Sequence, residues 1–141
     1  FIVATGRGDF PNQVNNSLGF PGILKGALLV RARKITDSMA IKAAHSLAEY
    51  AEKRGIDENN ILPTMDEIGV FPQEAADVAM QAIADGVARV ELTWQQAYDL
   101  AKSDIDNARQ ITALLMQRGL IKEPPLEMMN RILSEAIRDL Q

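Results

Sequence analysis

Four side-chain amides, Asn12, Gln13, Asn15 and Asn16, fall within five positions in the stretch ATGRGDFPNQVNN, residues 4–16. A neutral amide both donates and accepts, so a cluster of them can grip a carboxylate or pair with a carboxamide without adding charge. Asn and Gln are also poor helix-interior residues, because their side chains compete for the backbone. Four of them in the first turns after a strand must therefore cap the helix or bind something. The positive end of a helix starting there would favour an anionic ligand. The plainer alternative is that Asn12 is a simple cap and the other three are solvated.

The same stretch holds two weaker signals. Gly6 and Gly8 follow a short apolar run, but a dinucleotide fingerprint needs a third glycine three residues on, and Asp9-Phe10-Pro11 stand there instead. What survives is position, because the loop leaving the carboxyl end of a parallel strand is where open α/β sheets bind ligands. Arg7-Gly8-Asp9 matches an adhesion tripeptide, a short motif without its confirming secreted context in a cysteine-free acidic chain. Asp9, between a strand and Pro11, is read as capping or fixing the loop rather than as a general base.

Elsewhere the chemistry thins out. His45 is the only histidine, with no second histidine to share a ligand site, so it reads as surface or core filler. Asp57, Glu58, Asp66 and Glu67 are too scattered for a metal site. The Met128-Met129 pair reads as core or interface. With no cysteine, thiol nucleophiles, disulfides and cysteine metal sites are excluded.

Composition sets the outer bounds. The 141 residues suffice for one domain with a real core, and 47% apolar with 24% charged residues is ordinary for a globular protein. A net charge of −4 argues against nucleic acid or an acidic membrane as partner. No signal peptide or long apolar run is visible, so the expected location is cytoplasmic. The chain opens FIVATG without methionine, and those residues read as a buried strand. They are expected to belong to a longer protein.

The elements that must position the amides are nearly all helical. Phe1-Ile2-Val3-Ala4 is a continuous apolar run closed by Thr5-Gly6, the pattern of a strand buried on both faces; its sheet must lie in missing sequence or in another chain. A helical run between Asn12 and Arg33 is expected to kink or break at Pro21, with Gly22 and Gly26 letting another backbone come close. Thr36 caps the next helix, whose apolar stripe is Ala40, Ala43, Ala44, Leu47, Ala48 and Ala51, and Gly55 ends it. Residues 56–70 read as loop. Pro72 starts another helix, with Ala75, Ala79, Ala82 and Ile83 as its small face and Gly86 as its end. VARVEL is a strand or a linker. Thr93 and Gln96 form a capping box before a helix through Ile105, Ala108, Ile111 and Leu115 to Gly119. After the EPP break, Met129, Ile132, Leu133, Ala136, Ile137 and Leu140 carry a last amphipathic helix.

Residues 5–28, TGRGDFPNQVNNSLGFPGILKGAL, resemble the segment of malic enzymes that closes the nucleotide-binding domain. In bacterial and archaeal members it reads T-G-R-S-D-[FY]-P-N-Q-[VI]-N-N, then F-P-G and a [RK]-G-A-L helix. The likeness continues through ARKITDSMAIKAAHSLA, NNILP and AADVAMQAIADGVAR, over about residues 1–90. It departs at Gly8, where the family usually has serine.

The resemblance implies oxidation and decarboxylation of malate to pyruvate with NAD or NADP, assisted by Mg or Mn held by residues outside this chain. It implies that Asn15 and Asn16 bind substrate and nicotinamide, and that Gly6 belongs to the cofactor-binding loop. The catalytic Tyr and Lys, the acidic metal ligands and the glycine fingerprint have no match here, so residues 1–141 alone are expected to be inactive. The fold class implied is a Rossmann-like α/β parent, of which this piece is mainly helical with one N-terminal strand. Residues 1–92 would be the C-terminal part of the NAD(P)-binding domain and residues 93–141 a helical extension. A homo-oligomer is expected. The rival readings are a helical interaction or oligomerisation module without catalysis, and a related 2-hydroxy-acid dehydrogenase.

Overall fold

A computed structural model describes residues 1–122 and 125–139. The elements are α1 (Asn16–Leu29), α2 (Asp37–Arg54), α3 (Val70–Ala84), α4 (Trp94–Gln117) and α5 (Leu126–Asp139). The chain forms two compact units, Phe1–Ile105 and Asp106–Gln141, with the boundary inside α4.

In the first unit α3 is the central helix, packed against both α1 and α2. Its Val70, Phe71, Ala75, Ala76, Val78, Ala79 and Ala82 are buried, and Val30, Met39, Ala43, Val87 and Ala97 complete the core. A helix walled mostly by alanines lets its neighbours come near. At the α1–α3 seam a side chain on Gly26 would lie 2.6 Å from the Ala75 carbonyl oxygen. The close approach expected of Gly22 and Gly26 is therefore present.

Local signals set the ends of α2. Thr36 accepts from the Met39 N–H at 3.3 Å, and Gly55 closes the helix with a φ of 97°. Asp85, just past α3, accepts from Thr36, Ser38 and Gln81. Those bonds hold its carboxyl below the ordinary range, Ser38 contributing most. Asp77 of α3 accepts from Ser46 at 2.6 Å and from the Trp94 indole at 2.8 Å. The Thr93–Gln96 capping box is formed in both directions, at 2.8 and 3.2 Å.

In the second unit the end of α4 leads to Gly119, with a φ of 68°. α5 carries half-exposed Met129, Ile132, Leu133 and Ile137. Leu140, expected on the same stripe, lies outside the described residues, as do Glu123 and Pro124 of the EPP break.

Two expectations are corrected. Phe1–Ala4 is not a strand: the described residues contain no strand, only isolated bridges between Thr5 and Gln13 and between Asp57 and Asn60. Phe1, Ile2 and Val3 are exposed. A run that is buried on both faces of a sheet cannot adopt that state without neighbouring strands to pair its backbone. Of the kink or break expected at Pro21, the break is absent, because Pro21 lies inside a continuous α1. It stands one turn in from the helix start, where its missing N–H removes a single bond, to the Ser17 carbonyl. VARVEL is a linker: the N–H groups of Arg89 and Val90 both donate to the Val30 carbonyl, at 2.9 and 3.1 Å.

Candidate functional site: an amide-lined cleft at the start of α1

Residues 5–14 form a loop whose ends are tied together. The Thr5 N–H donates to the Asn12 carbonyl at 3.3 Å, and the Val14 N–H to the Thr5 carbonyl at 2.8 Å. At its tip the Arg7 guanidinium donates to both oxygens of Asp9 and lies 5.0 Å from the Phe10 ring centre. That pairing holds the Asp9 carboxyl below its usual range. The tripeptide is exposed, yet its two charges are spent on each other. Asp9 thus fixes the loop, as its position suggested.

Asn12 is not a helix cap. Its φ of 56° is left-handed, a conformation that asparagine tolerates better than most residues. The side chain is 7% exposed. Its Nδ2 donates to the Val3 carbonyl at 3.1 Å and the Glu58 carbonyl at 2.8 Å, and its Oδ1 accepts from the Ile61 N–H at 2.9 Å. Asn15 is the cap: its Oδ1 accepts from the Ser17 N–H at 3.0 Å. That leaves the Asn15 Nδ2 donors available to a ligand.

The second wall comes from residues 57–65. Asp57 Oδ1 accepts from the Asn59 N–H at 2.8 Å. Arg54, ion-paired with Glu67, donates to the Asn60 side-chain oxygen at 2.8 Å and to the carbonyls of Asn60 and Leu62. Between the walls lies a cleft of about 210 Å³, with Asn12, Gln13, Asn15 and Leu18 on one side and Asn59, Asn60, Leu62, Pro63, Thr64 and Met65 on the other. None of these side chains is ionisable. Neutral donors beside a helix N-terminus suit a small anion or a carboxamide. The volume is below the roughly 300–1,000 Å³ usual for larger ligands.

The residues singled out from sequence therefore separate. Asn15 lines the cleft. Asn16, the first residue of α1, is exposed and outside the lining. Gly6 is exposed, and a side chain there would meet only the Val14 carbonyl at 3.9 Å. Its surroundings therefore show no phosphate cradle of the kind only glycine allows. Among the described residues no three His, Cys, Asp or Glu side chains are grouped to hold a metal ion. A divalent metal does not fit this donor set. His45 is exposed on α2.

Sequence reading missed the second wall, which looked like an ordinary loop, although its Asn59-Asn60 pair repeats the amide theme. It also missed Glu74. This side chain is fully buried with neither carboxyl oxygen hydrogen-bonded, and burial pushes its pKa up to about 8. Its spacing from Phe71, Ala75 and Val78 placed it on the apolar face, which was the available clue.

The family model described as the malic enzyme NAD-binding domain matches residues 2–85. The chain is 44% identical over 89 residues to the bifunctional malic/malolactic enzyme of Bacillus subtilis, an alignment covering 63% of this chain and 22% of that protein. It is 38% identical to the NADP-dependent malic enzyme of Halomonas elongata, covering 62% and 24%. The crystal structure of Entamoeba histolytica malic enzyme superposes with a TM-score of 0.92 at 66% identity, covering 99% of this chain and 29% of that one. The chain thus spans about a quarter of the length of these three relatives.

Proposed function

The chain belongs to the malic enzyme family through its NAD-binding domain, and from that premise we propose that it forms the C-terminal part of that domain in an NAD(P)-dependent malic enzyme. The parent fold would be Rossmann-like, with Phe1–Ala4 taking its place in a sheet built by residues outside this chain. The enzyme would be of the kind found in bacteria and archaea, a reading that the Bacillus relative supports. Residues 1–92 would belong to the domain and residues 93–141 would extend it. The Entamoeba enzyme matches nearly the whole chain, so such an extension has company in the family. A cytoplasmic homo-oligomer is the proposed setting.

The reaction would oxidise malate at its hydroxyl carbon and release carbon dioxide, leaving pyruvate. The nicotinamide, when bound, would take the hydride. This chain would hold and orient. The Nδ2 of Asn15 would donate to a malate carboxylate in the uncharged cleft, and Asn16, one residue on, would meet the nicotinamide carboxamide. Gly6 would belong to the loop that approaches the cofactor. The divalent metal would be held outside this chain.

One observation carries the reading: an uncharged cleft at a helix N-terminus whose lining includes an asparagine with unspent donors. Asn15→Ala and Asn16→Ala in the complete enzyme are expected to lower kcat/KM for malate about 10- to 100-fold, for the loss of ligand hydrogen bonds. Residues 1–141 alone should give no metal-dependent NAD(P) reduction. Unchanged kcat/KM in both variants would refute the assignment.

A further inference from the structure

We propose that Asn12 is a positioning residue for substrate binding, the clip that sets the two walls of the cleft at their working distance. This rests on the malate reading of the cleft given above. The first wall, Gln13 and Asn15, follows Asn12 directly in the chain. The second wall, Asn59 to Met65, starts beside the two groups Asn12 reaches, the Glu58 carbonyl and the Ile61 N–H. Its remaining donor hydrogen goes to the Val3 carbonyl. One side chain therefore ties its own loop both to Val3 and to the segment 58–61, which is 46 to 49 residues away.

Chemistry selects asparagine for this place. The neighbours are two carbonyls and one N–H, so the side chain must donate twice and accept once, which a carboxamide does with no charge. An aspartate would keep the acceptor for Ile61 but set a carboxylate against two carbonyl oxygens. The backbone must also be left-handed, which asparagine and glycine adopt at least cost. Asn12 borders the cleft, but its side chain is buried with both donor hydrogens and its oxygen engaged by backbone groups, so its contribution is to the geometry of the lining. Without the clip, the Asn15 donors and the Asn59–Asn60 amides would no longer converge on one small acid.

The test uses the complete enzyme with L-malate, comparing Asn12→Gly, Asn12→Asp and Asn15→Ala. Asn12→Gly retains the left-handed backbone and removes all three bonds. KM for malate should rise about tenfold, with kcat and the KM for NAD(P) within about twofold. Hydrogen exchange across residues 58–62 should speed up in Asn12→Gly and Asn12→Asp but not in Asn15→Ala. If Asn12→Gly does not fold, Asn12→Asp, which preserves the side-chain shape, carries the same readings. Faster exchange with an unchanged malate KM would show a purely structural tie and overturn the proposal. A malate KM unchanged in Asn12→Gly but raised in Asn15→Ala would overturn the positioning role alone. A malate KM unchanged in both would remove the cleft reading, and this role with it.

Discussion

The two ends of α1 are held by opposite means. At its N-terminus the chain is fixed by directional bonds: Asn15 caps the helix and Asn12 spends two donors and an acceptor on three backbone groups. About two to three turns further on, the contact with α3 is steric instead. Gly22 and Gly26 lie against α3 with no space for a methyl group, and the Glu74 carboxyl fills the volume a Gly22 side chain would need, its oxygens unbonded. Hydrogen bonds set direction and can be re-formed after a small movement. A close-packed seam tolerates no added atom, since overpacking forces backbone to shift. The site end is thus the adjustable one and the seam the rigid one.

The strongest way to test that contrast is to crowd the seam. Gly26→Ala puts a methyl 2.6 Å from the Ala75 carbonyl and 2.8 Å from Val78 Cβ. Overpacking of about 3 kcal/mol should outweigh the roughly 1 kcal/mol that alanine gains over glycine in a helix. The apparent unfolding midpoint of the complete enzyme should fall, with the malate KM unchanged in the folded fraction.

Next comes the orphan carboxyl. Desolvation is the main cause of its raised pKa, reinforced by the charge of Asp77. The folded state therefore keeps a proton that the unfolded chain releases above the ordinary glutamate value of 4.5. The contribution of Glu74 is most favourable below that pH, declines as pH rises, and is spent once pH passes about 8. Glu74→Gln should flatten the fall in thermal midpoint between pH 5 and pH 8, read by unfolding scans at a series of pH values. An equally steep fall in the variant would show that another group is responsible.

The smallest effect is expected at the loop. Gly8→Ser restores the serine usual in the family and places a side chain 3.2 Å from Gln13 Nε2, the far end of a flexible group. Stability should change by less than about 0.5 kcal/mol, as at an ordinary surface position. A large loss in the unfolding midpoint would mean that Gln13 is held more tightly than its exposure suggests.

What the sequence disclosed follows from how far each signal reaches. Thr36, Gly55 and the Thr93–Gln96 box act on residues within one turn, so a single pass along the chain located those helix ends. The amide cluster was visible as a cluster, and Asn15 emerged as the residue that both caps α1 and faces the cleft. For Asn12 the sequence offers only a simple cap as the plainer alternative, because its real partners, Glu58 and Ile61, lie 46 and 49 residues away. The apolar pattern of Phe1–Ala4 records what that run would do beside other strands, and none is present among the described residues. Glu74 was passed over because a lone carboxylate among alanines looks like a solvated face until its burial is known.

Asp77 has a consequence for measurement. Its carboxylate holds Ser46 of α2 through one oxygen and Trp94 through the other, and the indole stacks on Tyr98 with ring centres 5.1 Å apart. Trp94 is the single tryptophan of these 141 residues. Its fluorescence is thus a native optical reporter, without any added label, of whether α2, α3 and the first turn of α4 are still docked together.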